Sequence, residues 1–146
     1  MQRVAEYATL NANYLMRYLE DRGVDMAYSG RRATHEFIVT LKSLKDDTGI
    51  SAMDVAKRLL DKGYHAPTVY FPLLVPECFL IEPTETESRE ELEGFAEALL
   101  EIIEEAGADP DLVRSAPHTT PVRRLDEVKA ARELDVAWAR PEDRES

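Results

Sequence analysis

The strongest constraint on how this chain folds lies in one capped, striped segment. Ser88-Arg-Glu-Glu91 sets an N-cap serine three positions ahead of a glutamate, the signature of a capping box. Leu92, Phe95, Ala96, Leu99, Leu100, Ile102 and Ile103 then recur at helical spacing. The pattern predicts a helix from Arg89 to about Glu105, stopped by Gly107, with an apolar face that other elements have to cover.

Two further helices are available to cover it. Val4, Tyr7, Ala8, Leu10, Asn11, Tyr14, Leu15, Tyr18 and Leu19 predict an amphipathic helix ending near Gly23, and Ser51 caps another over Ala52–Lys62. In the second, Asp54 opens the helix and Lys57, Arg58 and Lys62 close it, as the helix dipole favours, with Gly63 as the stop. The first helix starts abruptly and without a cap, so the chain is expected to be a piece of a larger protein.

Strand-like segments lie between the helices. Val24–Tyr28 and Thr34–Leu41 read as two strands joined by Ser29-Gly-Arg-Arg32, with Lys42 and Lys45 in a following loop. Tyr64–Pro72 carries two prolines and reads as an edge, and Cys78–Glu82 is the next strand. Asp109-Pro-Asp111 starts a short helical turn. Helices and strands mix without a strict βαβ repeat, which predicts an α+β fold: a small, mostly antiparallel sheet with helices on one face.

At 146 residues one cohesive core is affordable and two are not. The excess of 29 Asp+Glu over 18 Lys+Arg, a net charge of −11, has the wrong sign for a nucleic-acid binder. No run is apolar enough to span a membrane and the N-terminus has no signal-peptide core, so the expected location is the cytoplasm. Cys78, the single cysteine, stands in an apolar run and reads as a buried structural thiol. From Ala116 onward the chain turns polar, with Pro117, Pro121 and Pro141 among many charges, and reads as a tail that rests on another surface or moves freely. Within it Leu125, Val128 and Leu134 suggest a short amphipathic turn, and Trp138 an anchor for a partner.

Motifs with chemical content are few. His35-Glu36 invites acid–base chemistry, but strand neighbours point to opposite faces, so His35 lining a site is the better expectation. His65-Ala-Pro-Thr68 lies by the turn formers Gly63 and Pro67, where a fixed backbone presents polar groups. The histidines at 35, 65 and 118 have no metal-ligand spacing. Glu82, Glu85 and Glu87 suggest a cation site or a small metal-dependent hydrolase, although Glu85 and Glu87 are more simply placed to favour the positive end of the helix after them.

Several segments together resemble one family. Leu10-Asn-Ala-Asn-Tyr14, His35-Glu-Phe-Ile38, Thr48-Gly-Ile50, Asp54-Val-Ala-Lys-Arg-Leu59, Gly63-Tyr-His-Ala-Pro-Thr68, Glu82-Pro-Thr-Glu-Thr-Glu-Ser88 and the stretch from Ala116 to Glu127 resemble the C-terminal region of the glycine-cleavage P-protein, glycine dehydrogenase (decarboxylating). Phe71 to Ile81 and Thr120 to Leu125 are most similar to subunit 2 of the two-subunit type.

The resemblance implies a pyridoxal-phosphate enzyme of the aminotransferase-like fold (fold type I), with residues 1–23 as a connecting helix, 24–115 as the small α+β domain and 116–146 as the polar tail. It implies that the complete enzyme decarboxylates glycine and passes the aminomethyl group to the lipoyl arm of H-protein, with a large N-terminal domain and subunit 1 as partners. It places Arg31, His35, His65 and Thr68 nearest the active site. The family's cofactor lysine belongs to the large domain, and Lys42, Lys45, Lys57, Lys62 and Lys129 have the wrong setting for it. The chain alone is therefore expected to be inactive and to bind no cofactor covalently, and self-association through its apolar first helix is expected. A stand-alone protein-interaction module is the rival reading.

Overall fold

The computed structural model describes residues 1–134 together with Val136 and Trp138. Helix α1 (Gln2–Glu20) opens the chain, followed by β1 (Phe37–Thr40), α2 (Lys42–Thr48) and α3 (Ala52–Asp61). Then come β2 (Thr68–Val69), β3 (Cys78–Ile81), α4 (Arg89–Ala108), α5 (Pro110–Arg114) and α6 (Glu127–Arg132). The sheet has the order β1-β3-β2 and is antiparallel throughout, pairing Phe37 with Ile81, Val39 with Phe79 and Thr68 with Leu80.

Residues opposite one another in an antiparallel pair share a face. Phe37, Val39, Phe79 and Ile81 are buried, while Ile38, Thr40 and Leu80 of the other face are only half-buried. The buried face joins Leu15 and Leu19 of α1, Val55 and Leu59 of α3, Leu99 and Ile102 of α4 and Val113 of α5 in one core. The expected α+β layer of a small antiparallel sheet with helices is thus the observed architecture.

Helix ends show why the boundaries fall where they do. Ser51 Oγ accepts from the Asp54 N–H while Asp54 Oδ2 accepts from the Ser51 N–H at 2.9 Å, a complete capping box. At α4, Ser88 accepts from the Glu91 N–H, and the reciprocal bond expected from Glu91 is not made among the described residues. Gly107 does not stop α4, because its backbone stays out of the left-handed region; the helix ends one residue later, where Asp109 caps α5 and Pro110 begins it.

Three further expectations are corrected. Val24–Tyr28 forms no strand: only Met26 bridges to Val39, flanked by bonds from Ala27 N–H to Ile38 and from Thr40 N–H to Asp25. The strand expected over Thr34–Leu41 begins only at Phe37, because the Asn13 side chain exchanges two hydrogen bonds with the Ala33 backbone and draws the preceding loop onto α1. The loop expected around Lys42 and Lys45 is α2, ended by Gly49 at φ 75°. The i,i+4 pair of Lys42 with Asp46 lies within its single run of turns.

The segment after α5 rests on α3. Ala116 is fully buried, Arg124 donates to Asp54 at 2.6 Å and to the Ala116 carbonyl at 2.7 Å, and Asp61 accepts from the backbone N–H groups of His118 and Thr119. Beyond it Leu125, Val128, Leu134 and Trp138 are exposed, so nothing among the described residues covers the expected amphipathic turn. Positions 135, 137 and 139–146, including Pro141, lie outside the described residues. Cys78 is buried, and burial pushes its thiol pKa up, as befits an inert structural cysteine.

Candidate functional site

Antiparallel pairing brings the first residues of β1 and β2 to the same end of the sheet as the last residues of β3. His35 stands two residues before β1, His65 three before β2, and Glu82 directly after β3. Residues 35, 65 and 82, far apart in sequence, therefore share one rim of the sheet. Three cavities open around this rim.

The first, about 200 Å³, is lined by Arg31 and Arg32 with Tyr28, Glu36 and Leu80. Neither arginine forms an ion pair among the described residues; Arg31 lies 5.6 Å from the centre of the Tyr28 ring. The second, about 350 Å³, is lined by Tyr64, His65, Glu82, Glu87 and Glu91 over an apolar floor. The third, about 420 Å³, lies between the start of α1 at Ala5, Ala8 and Thr9 and the segment holding His35 and Glu82–Glu85. Glu82, Pro83 and Thr84 form the partition between the second and third cavities.

Of the residues singled out from sequence, Arg31, His35 and His65 each line one of these cavities. Thr68 lies on the same rim as the first residue of β2, opposite Leu80, but lines none of the three. His35 Nε2 is 3.9 Å from both Glu36 Oε2 and Glu82 Oε1, so the exposed imidazole rests between two carboxylates. His35 and Glu36 both precede β1, so strand alternation does not part them as expected, and Glu82 joins them through the register of β1 and β3. Among the described residues no three His, Cys, Asp or Glu side chains converge as metal ligands, so Glu82, Glu85 and Glu87 form no such group.

Two asparagines on α1 hold the rim segments. Buried Asn11 donates to the carbonyls of Thr84 (2.8 Å) and Glu87 (3.1 Å), while Asn13 holds Ala33 ahead of His35. Leu10-Asn-Ala-Asn-Tyr14 is thus a tether for loops. Tyr14 and Tyr18 are half-buried against α4, where they donate to Glu93 and Glu97. The uncovered part of the α1 stripe is accordingly its first half, Val4, Tyr7 and Leu10.

Four of the five lysines have carboxylate partners, and Lys57 has none among the described residues. Lys42 pairs with Asp46, Lys45 with Glu77 at 3.7 Å, Lys62 with Glu101 and Glu105, and Lys129 with Glu133 at 3.9 Å. Burial disfavours the Lys62 charge, but Glu101 and Glu105 outweigh it and raise its pKa, the opposite of what a nucleophilic amine needs. Pyridoxal phosphate calls for a neutral lysine amine at its carbonyl carbon, and no lysine at the rim of the sheet offers one.

The chain has close relatives. It is 70% identical over 141 residues to a probable glycine dehydrogenase (decarboxylating) subunit 2 of Nitrosospira multiformis, covering 97% of this chain and 28% of that protein. It is 73% identical over 138 residues to the protein of the same name from Thiobacillus denitrificans, covering 94% and 29%. A Coxiella burnetii protein of that name is 62% identical over 138 residues, covering 94% and 28%. The chain spans less than three tenths of the length of these curated relatives. No helix among the described residues is long and apolar enough to cross a membrane. Residues 4–118, from the first turn of α1 to the turn that docks on Asp61, match the family model described as glycine dehydrogenase, C-terminal domain, and the chain belongs to that family.

Proposed function

We propose that this domain forms one wall of the active site of a pyridoxal-phosphate-dependent glycine decarboxylase, with the histidine-bearing end of its sheet turned toward the cofactor-holding part of the subunit. In this reading residues 1–23 are the connecting helix, 24–115 the small domain and 116–146 the tail, and the enzyme works in the cytoplasm. The observation that carries it is the convergence of Arg31, His35 and His65 at one sheet end, in a chain so similar to glycine dehydrogenase subunits. The uncovered start of α1 borders the same end, at Ala5, Ala8 and Thr9.

The cofactor would act as the electron sink for decarboxylation. This chain's residues serve binding and orientation. Arg31 and Arg32, without ion-pair partners among the described residues, offer guanidiniums to a carboxylate, and His35 between Glu36 and Glu82 presents a hydrogen-bonding imidazole at the third cavity. Thr68 borders the site from β2. Glycine, the large N-terminal domain, subunit 1 and the lipoyl arm of H-protein complete the reaction.

The test is exchange of CO2 with the glycine carboxylate by the assembled enzyme carrying changes in these residues. His35→Ala and His65→Ala are each expected to lower exchange at least tenfold, and full exchange in both removes them from the site. For the isolated chain, we expect no visible cofactor absorbance that borohydride abolishes; such a band would overturn the one-wall reading.

A further inference from the structure

Helix α4 carries a glycine that its backbone does not require. Gly94 lies inside the helix with φ outside the left-handed region, and glycine weakens a helix interior relative to alanine. What the position offers is space. A Cβ built there would collide with the Tyr64 hydroxyl oxygen, whereas the next ring atom, Cζ, would stay at an ordinary 3.7 Å. Among the six glycines no other would meet an atom closer than 3.8 Å. The phenol hydroxyl thus occupies the place of a side chain, and an unsubstituted position lets the ring settle onto α4.

Tyr64 is also the anchor of a turn. Gly63 follows the C-cap Lys62 of α3 at φ 84°, and the Gly63 and Tyr64 N–H groups donate back to the carbonyls of Leu60 (3.1 Å) and Leu59 (3.0 Å). This is a Schellman motif, in which the residue after the glycine commonly packs against an apolar neighbour. Here α4 supplies that neighbour: the Tyr64 ring meets Phe95 edge to face at 5.7 Å between ring centres, with Gly94 beneath its hydroxyl. His65 follows directly, and Thr68, at the start of β2, is held against Leu80 in the sheet. The His65 ring makes no hydrogen bond or ion pair among the described residues, so its place follows from its backbone.

We infer that Tyr64 is a positioning residue whose seat on Gly94 aims His65 at the second cavity, which both residues line. The inference rests on the reading of this rim as one wall of the active site. A Cβ at position 94 would lift the hydroxyl by about 1 Å to reach van der Waals separation. Because the Tyr64 N–H is tied to Leu59, the displaced ring pivots about its own Cα and turns the peptide that carries His65. Misplacing a group near the chemistry by about 1 Å is enough to slow a reaction many-fold. Removing the hydroxyl alone removes the collision, since Cζ already clears the added carbon.

The experiment is a double-substitution cycle at positions 64 and 94, read in two ways. In the assembled enzyme Gly94→Ala is expected to lower exchange of CO2 with the glycine carboxylate about threefold or more. Added to Tyr64→Phe, the same substitution should change exchange by less than about 1.5-fold. In the 146-residue chain, NMR should show the His65 imidazole signals moving with Gly94→Ala and holding their place when that change is added to Tyr64→Phe. An equal loss of exchange in both backgrounds, or His65 signals that Gly94→Ala leaves unmoved, would overturn the proposal. So would a loss of exchange that follows the urea midpoint in both backgrounds, which would make the seat structural only. His65→Ala keeps the two readings apart. Full exchange without His65 strikes the wall reading at that residue while its imidazole signals still decide the seat; a clear loss in His65→Ala with none in Gly94→Ala strikes the positioning alone.

Discussion

Two regions of this domain use charge in opposite ways. Where α3 meets α4 and the segment after α5, nearly every charge is tied to another. Arg58 bonds both Glu105 oxygens and Asp61, Lys62 reaches Glu101 and Glu105, Asp61 accepts three bonds from His118 and Thr119, and Arg124 closes on Asp54. At the rim of the sheet Arg31, Arg32, Glu87 and Glu91 have no oppositely charged partner among the described residues, and His35 keeps only long contacts. The first region holds the fold, and the second leaves its charges available to something else. Counting charges alone, with the chain at −11, would never separate the two.

The sharpest way to break this contrast is to cut the wired side. Arg58→Ala leaves Glu105 and Asp61 largely buried without their guanidinium, and should cost about 3 kcal/mol of unfolding free energy by urea denaturation. A loss below about 1 kcal/mol would place Arg58 with the free charges of the rim.

Acid titration gives the next largest effect. Burial opposes the Asp61 charge, but the backbone N–H groups of Thr119 and His118 and the Arg58 guanidinium outweigh it and bring the pKa down to about 2. Asp54, against burial, is likewise held low by Ser51 and Arg124, and Glu105 by Arg58 and Lys62. A depressed carboxylate stabilises the fold fully above its unfolded pKa and loses that contribution as pH falls through the folded value. Stability should therefore drop between about pH 4 and pH 2, with Asp61 contributing on the order of 2 kcal/mol. Asp61→Asn should flatten this acid limb in denaturation curves; an unchanged slope would deny Asp61 its role.

Gly94→Ala tests the seat of Tyr64, whose hydroxyl occupies the space a Cβ at position 94 would need. Gain of helix propensity, about 1 kcal/mol, opposes the displacement of the ring, so stability should shift by less than about 1 kcal/mol. The near-ultraviolet circular dichroism of Tyr64 should nonetheless change. Smallest of all, His35→Ala and His65→Ala should move stability by no more than about 0.5 kcal/mol, since both side chains are exposed. A larger loss from either would put that histidine among the residues that hold the fold.

Much of the wired side was legible in sequence. Ser51 and Asp54 announce their capping box, the stripe from Leu92 to Ile103 announces α4, and Cys78 among apolar neighbours announces its burial. What eluded local reading depends on distant pairing. Asn13 diverts the backbone at Ala33 and so shortens β1, and no local pattern in Thr34–Leu41 reports that. Gly107 looks like a helix stop, yet the competing cap at Asp109 decides the boundary. At the rim, His35 and His65 were visible as residue types beside turns, whereas Glu82 joins them only through sheet register.

Asn11 and Asn13 also make α1 a handle. One grips the segment from Thr84 to Glu87, the other the turn ahead of His35, and both gripping side chains belong to the same rigid rod. Ala12, Leu15 and Leu19 seat the same rod in the core, so one helix fixes both rim segments to the interior of the domain. Among the described residues His65 has no such hydrogen bond to α1, and its place at the rim is set instead by the connection from α3 to β2.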